Sequence, residues 1–254
     1  MKISIITASY NSEETIDASI RSVLAQTCKT LEYIVVDGGS SDGTCDIVKS
    51  FSEKINQFTS EPDAGIYDAM NKGIQRATGD VVGILNSDDV YANTEILAKV
   101  LEVFKDPEVA VCYGDLVYVS PTDMHKQVRM WKSSPYIHGS FLTGWVPPHP
   151  TCFVRREVYQ KHGAFDTSFP LAADYELMLR FIHCLRLKSF YIPEILVKMR
   201  LGGASNKNFS NILKQNIEIF RAGRKNSVDI GTKYYLGKFI NRLNQYVSAA
   251  RISA

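Results

Sequence analysis

Gly79-Asp80-Val81-Val82-Gly83-Ile84-Leu85-Asn86-Ser87-Asp88-Asp89-Val90-Tyr91 is the stretch that decides the fold. Its apolar run, Val81 to Leu85, stops at two adjacent carboxylates. A short apolar run bounded by polar residues reads as a buried strand, and acids at its end sit at the rim of a sheet, where open α/β folds place their ligands. Side chains alternate along a strand, so one carboxylate can be aimed at a sugar hydroxyl and the other at a cation. A hard divalent ion held by one or two carboxylates and the phosphates of a substrate is the usual arrangement in nucleotide-dependent transfer. A solvated turn capping the next element is the alternative reading of the same residues.

Working outward, the strand-then-acid pattern recurs. Lys2 to Ala8 is an apolar strand, followed by the polar break Ser9-Tyr10-Asn11-Ser12 and a helix from Glu13 to Gln26 with Ser12 as its N-cap. Leu31 to Val36 is a second strand, ending at Asp37-Gly38-Gly39-Ser40-Ser41-Asp42-Gly43-Thr44, where glycine lets the backbone approach a ligand. A helix then runs from Asp42 to about Phe51. Ile55 to Ser60 is a third strand, followed by Glu61-Pro62-Asp63-Ala64-Gly65 and a helix with Ile66, Met70 and Ile74 on one face. Strands alternating with helices in this way predict parallel βαβ units and a doubly wound sheet. Asp37, Asp63, Asp88 and Asp89 all follow strands and therefore gather on one edge.

Past a helix from Asn93 to Phe104, Val109 to Tyr113 and Asp115 to Val119 read as two strands, with another around Lys126 to Trp131. Ser133 to Pro150 is broken by Pro135, Gly139, Gly144, Pro147, Pro148 and Pro150 and reads as a substrate-facing loop. Thr151 to Val154 resumes a strand and Arg155 to His162 a short helix. Ala172 to Leu187 is apolar around much of its circumference, which predicts a buried helix. Asp174 and Glu176 fall in its first turn, where acids complement the helix dipole and where a base is rigidly held. Phe190 to Met199 returns to the sheet, and Arg200 to Asn206 is a glycine-containing loop that is neither GxGxxG nor a P-loop.

The 254 residues can bury a full core, and 45% hydrophobic content with a net charge of +2 is that of a soluble globular protein. No apolar run is long enough to span a membrane and the N-terminus lacks a signal-peptide pattern, so the expected location is the cytoplasm. The five cysteines are scattered, without a Cys-x-x-Cys pair, and read as small buried hydrophobes. The charge is unevenly spread: from Ser205 onward nine Lys and Arg face only Glu218 and Asp229, giving +7 and leaving −5 on the first 204 residues. A basic tail favours contact with something anionic. Its second helix, Thr232 to Ala250, carries an apolar stripe of Tyr235, Leu236, Phe239, Ile240, Leu243, Tyr246 and Val247 among Lys233, Lys238, Arg242 and Arg251. Such a helix can pack on a core, join two chains or lie on an anionic membrane surface.

With those pieces assembled, the chain resembles the family 2 glycosyltransferases, inverting enzymes of GT-A fold. The matching residues are Ile5-Ile6-Thr7-Ala8-Ser9-Tyr10-Asn11, Ile34 to Thr44, Asn71-Lys72-Gly73, Gly79-Asp80 with Leu85 to Asp89, and Ala172-Ala173-Asp174-Tyr175-Glu176. Met199-Arg200-Leu201-Gly202-Gly203-Ala204-Ser205 is similar to the bacterial surface-polysaccharide and O-antigen branch. The resemblance implies an α/β GT-A catalytic domain over 1–204, divided into a nucleotide-sugar-binding half (1–114) and an acceptor half (115–204), with a basic helical tail over 205–254. It also implies transfer of a hexosyl or N-acetylhexosaminyl group from a UDP-sugar to a saccharide or lipid-linked saccharide, with Mn2+ or Mg2+ as cofactor and no role for nucleic acid. On this likeness Thr7, Ser9 and Tyr10 shape the base pocket, Asp37 accepts from the uracil imide, Asp63 lies beside the base and Asp88 meets the ribose or sugar. Asp89 binds the ion and Asp174 is the general base.

Two positions depart from the commoner family pattern: Asn86 stands where Asp is usual, and Met70 where Arg is usual. Lys72 or Arg200 is then the candidate for the missing positive charge on the diphosphate. His149, in Pro147-Pro148-His149-Pro150, is either a second metal ligand, since imidazole suits manganese, or a hydrogen-bonded structural residue. A nucleotidyltransferase lacks its Gly-rich, Lys- and Arg-bearing loop here, and a non-catalytic sugar-nucleotide-binding protein would not need all three of Asp88, Asp89 and Asp174.

Overall fold

The computed structural model describes residues 1–202 and 209–252. Among the described residues nine strands form one sheet: β1 (Ile3–Ser9), β2 (Leu31–Asp37), β3 (Gln57–Ser60), β4 (Val81–Ile84), β5 (Val90–Tyr91), β6 (Val111–Val119), β7 (Gln127–Trp131), β8 (Phe153–Arg155) and β9 (Ser189–Arg200). Their order is β3-β2-β1-β4-β8-β6-β9-β5, with β7 hairpinned onto β6. The first four run parallel, and β8 enters antiparallel to both β4 and β6, so the fold is α/β with a mixed, mostly parallel sheet.

Alternating side chains on the parallel strands feed two cores. Ile6, Ile34, Val36, Val82 and Ile84 pack under α3 (Ile66–Arg76), α5 (Arg156–His162), α6 (Ala173–Met178), α7 (Phe209–Lys225) and the start of α8 (Thr232–Ile252). Ile3, Ile5, Tyr33, Val35 and Val81 pack under α1 (Ile16–Leu24), α2 (Thr44–Ser50) and α4 (Ile96–Val103). Each fully buried Ile or Val contributes about 1.5–3 kcal/mol, and both cores meet along β1 and β4, which fixes the acid-bearing strand ends.

Several expectations change in detail. The two strands expected around Gly114 are one, β6, and the boundary expected between 114 and 115 falls inside it. Gly114 is not a break: a Cβ there would lie 2.5 Å from Leu196 Cγ, so glycine lets β9 pack close as the ladder shifts register. Ser12 does not cap α1 with its side chain; its carbonyl accepts from Thr15 and Ile16 while Oγ turns back to Tyr10 O. The helix expected from Ala172 to Leu187 is α6 followed by a wider π turn over Leu179–Cys184. Residues 203–206 of the glycine-containing loop, and the start of the tail at 205, lie outside the described residues.

The tail packs on the body. Ile219, Ala222, Ile230 and Tyr234 are core residues. Two glycines make the contact of α8 close: Gly144, at φ +81°, has Lys238 N where its Cβ would be, and Gly237 has Thr143 O. Among the described residues no helix is long and apolar enough to cross a membrane.

Candidate active site

A cavity of about 1550 Å3 opens along the C-terminal ends of β1, β2 and β4 and is closed on the far side by β7, α6 and α8. That volume exceeds the range of about 300–1,000 Å3 usual for one small ligand, leaving room for two reactants. Ser9, Tyr10, Asp63, Asn86, Asp88, His149 and Asp174 all line it, so residues from 165 positions of chain converge as the strand-end pattern requires. Thr7, Asp37, Lys72 and Asp89 do not.

At the β2 end, Asp37 is completely buried and its two oxygens are spent internally. Oδ1 accepts from Ser9 Oγ at 3.1 Å and Ser40 Oγ at 2.5 Å; Oδ2 accepts from Gly39 N, Ser40 N, Ser60 Oγ and Cys45 Sγ. Burial raises its pKa, and these donors outweigh burial and lower it. Asp37 therefore shapes the loop that lines the cavity, a correction to its expected direct contact with a base. Asp63 does reach the wall: its carboxylate covers Gly38, where a Cβ would be 2.4 Å from Oδ2. Thr7 is also corrected, since its hydroxyl bonds Tyr33 Oη at 3.1 Å within the core. Tyr10 stands 65% exposed at the rim.

The two acids after β4 part company. Asp88 is half-buried on the cavity wall, its pKa raised by burial and held back by Arg200. Asp89 has no exposed surface; burial first and the Asp88 charge second push its pKa well above the carboxylate range. Asp88 is thus the acid that lines the cavity, while Asp89, expected to bind the ion, lies behind it with its Oδ1 a buried acceptor that has no partner among the described residues. Lys72 is corrected, being tied to Glu61, Asp68 and Pro62 O, and the Arg200 guanidinium bonds Pro121 O.

Asn86 decides whether this corner fits a divalent ion. Its Nδ2 donates to Asp89 Oδ2 at 3.1 Å, which orients the amide and leaves Oδ1 a buried acceptor with no partner beside Asp88. Two hard oxygens, one charged, suit Mg2+ or Mn2+ shared with substrate phosphates. Among the described residues no three His, Cys, Asp or Glu side chains cluster as a self-sufficient metal site. The corner fits an ion that arrives with, or is completed by, a diphosphate.

Asp174 occupies the opposite wall at the start of α6. Its Oδ1 accepts from Tyr67 Oη at 3.0 Å and Tyr175 N at 2.8 Å, leaving Oδ2 without a protein donor among the described residues. Tyr67 stacks on Phe165 at 5.3 Å, and the His149 ring meets Phe165 edge-on at 5.5 Å. Burial lowers the His149 pKa against the pull of Asp174, which keeps the imidazole neutral. The Tyr67 pKa is raised well above normal by burial and by the Asp174 charge, so it remains a donor.

Sequence reasoning missed Tyr67, Arg129, Lys132 and the face of α8 made by Tyr234, Lys238, Asn241, Arg242 and Gln245. The helical period was visible in α8, but its sense is inverted. The apolar stripe Leu236, Phe239, Ile240 and Leu243 is 47–63% exposed, and the polar face is the one that lines the cavity.

The Glycosyl transferase family 2 profile matches residues 4–163. The chain belongs to glycosyl transferase family 2. Among similar proteins, an uncharacterized glycosyltransferase of Mycobacterium tuberculosis is 32% identical over 183 residues, 70% of this chain and 68% of its own. A PGL/p-HBAD biosynthesis glycosyltransferase of Mycobacterium bovis is 27% identical over 208 residues, 80% of this chain and 78% of its own. Among solved folds, S. aureus TarS 1-349 in complex with UDP superposes at TM-score 0.64 with 20% identity, covering 92% of this chain and 68% of that one. The mannosyltransferase PcManGT from Pyrobaculum calidifontis, in complex with GDP-Man and Mn2+, gives 0.67 with 17% identity, covering 99% and 74%. These likenesses establish the GT-A fold for this family 2 chain.

Proposed function

We propose that the chain is an inverting glycosyltransferase that moves a hexosyl or N-acetylhexosaminyl group from a UDP-sugar to a hydroxyl of a lipid-linked saccharide in surface-polysaccharide assembly. The observation that carries the reading is the pairing of Asp88 and Asp174 on facing walls of one cavity, with the Asp174 Oδ2 free to accept a proton. The nucleoside lies at the Ser9, Tyr10 and Asp63 end. Asn86 and Asp88 would hold a divalent ion, which when bound would supply positive charge toward the leaving group. Asp174 takes the proton of the acceptor hydroxyl as its oxygen bonds to the anomeric carbon; the bond to the diphosphate oxygen breaks, and its electrons leave with UDP. A single in-line displacement inverts the anomeric configuration. Tyr67 holds the carboxylate in position, and neutral His149 braces Phe165 behind it.

Outward-facing Leu213, Ile217 and Phe220 on α7 and Leu236, Phe239, Ile240 and Leu243 on α8, in a tail of charge +7, support peripheral binding to an anionic bilayer. A thermal-shift screen of nucleotide sugars, with and without Mn2+, tests the donor. UDP-sugars should stabilise the protein more with the ion than without it, and Asp88→Ala should abolish the difference. An ion effect of unchanged size in Asp88→Ala would remove the corner assigned here.

A further inference from the structure

Charges of both signs line the cavity. Its strand-end wall carries Asp63 and Asp88, while the α8 wall carries Lys238 and Arg242, one helical turn apart. Some cations elsewhere are matched by acids, as in Lys2 with Glu32, Lys72 with Glu61 and Lys225 with Asp166, and others, such as Arg155 and Arg156, are spent on backbone carbonyls of the body. Lys238 and Arg242 make no ion pair among the described residues; Lys238 donates only to the neutral Asn216 Oδ1, at 2.9 Å. Lys238 is partly buried and Arg242 is exposed at the cavity rim, and two like charges placed side by side cost energy unless an anion offsets them. The cost is visible in the Lys238 ammonium, whose pKa is brought down to about 8 by burial and by Arg242, with Asp174 opposing.

The backbone spends close packing to keep them there. Gly237 and Gly144 bring α8 against Thr143 with no room for a side chain at either position. Tyr234, one turn before Lys238, stacks edge-on against Tyr175 at 5.6 Å, beside the carboxylate of Asp174. The pair is therefore on the Asp174 side of the cavity, where an acceptor hydroxyl must sit, and the outer face of the same helix is apolar.

We propose that Lys238 and Arg242 form a seat for a phosphate group of the acceptor, so that the acceptor class is a phosphate-bearing, lipid-linked saccharide. This rests on the glycosyltransferase reading of the cavity, with Asp174 marking the acceptor side. The donor diphosphate is the other possible source of the same chemistry, and the test separates the two. Inorganic pyrophosphate serves as the probe, titrated calorimetrically into the whole chain already saturated with UDP. Wild type should bind it, and Lys238→Met and Arg242→Gln should each weaken it about tenfold or more, since a charge-assisted hydrogen bond is worth ~1.5–3 kcal/mol. Lys238→Arg should restore much of the binding, and the affinity for UDP should stay within about twofold throughout. Loss of pyrophosphate binding once UDP is saturating, or an equal fall in UDP affinity, would assign the cations to the donor and overturn the proposal. Because no turnover is read, a failure of the transfer chemistry itself would leave this result unchanged and show instead as an inert wild-type enzyme.

Discussion

Replacing Gly237 by Ala tests whether α8 belongs to the active site. The new Cβ would lie 1.9 Å from Thr143 O, where ordinary contact begins at 3.4 Å, so α8 must withdraw by about 1.5 Å. Overpacking of this kind costs about 1–3 kcal/mol, and the better helix propensity of Ala returns about 1 kcal/mol. Because the clash is with the backbone of Thr143, which cannot swing aside, the net destabilisation falls at the upper end, about 2 kcal/mol. The catalytic effect is larger, because Lys238, Asn241 and Arg242 ride on the displaced helix, and a 1 Å misplacement can cost about 100-fold. Initial rates of transfer to a phosphate-bearing acceptor should fall about 100-fold in a protein that stays folded, its melting temperature lowered by roughly 4–8 °C. Gly231→Ala, at an exposed position with nothing within 4 Å, is the control and should leave both intact. A Gly237→Ala enzyme with wild-type transfer rates would refute the argument that this packing positions the site.

Three further outcomes follow from the geometry. Tyr67→Phe removes a donor to a carboxylate at 3.0 Å and should lower kcat by about 10- to 100-fold, at ~1.5–3 kcal/mol for a charged hydrogen bond, leaving the UDP affinity unchanged by calorimetry. Glu32 is buried, which raises its pKa, but Lys2, Ser4 and Thr78 donors outweigh that and bring it to about 2 from 4.5. A folded pKa below the unfolded one gives stability that is full above about 4.5 and lost as pH falls toward 2. Glu32→Gln should thus cost on the order of 3 kcal/mol at pH 7 in urea unfolding, at 1.36 kcal/mol per unit, and flatten the acid limb; an unchanged acid limb would contradict it. Lys238, lowered to about 8 with Arg242 and Asp174 as its charged neighbours, loses its proton as pH rises past that value. Pyrophosphate affinity should therefore weaken between pH 7 and pH 9, and a flat profile would exclude a role for its charge.

The acid edge was legible because three apolar runs, each followed within a few residues by Asp, leave little but a parallel sheet with its strand ends gathered. Which acid of Asp88-Asp89 would face the cavity was not, because alternation fixes that they diverge and only the packing of β5 and β9 decides which is enclosed. Gly114 reads as punctuation in a sequence, yet it is the mid-strand residue that lets Leu196 approach. The polar face of α8 was invisible for a similar reason: an apolar stripe normally marks the buried side, and here a cavity rather than a core lies on the other. Tyr67 sits one residue from the stripe of Ile66, Met70 and Ile74, and its link to Asp174 spans 107 positions.

The central claim is that Asp174 removes the acceptor proton in a cavity whose donor corner is built separately. The measurement that tests it most directly is sugar transfer by Asp174→Asn at saturating UDP-sugar and Mn2+. The account predicts a rate lower by about 10²–10⁴-fold with UDP-sugar affinity intact. A rate equal to wild type would contradict it.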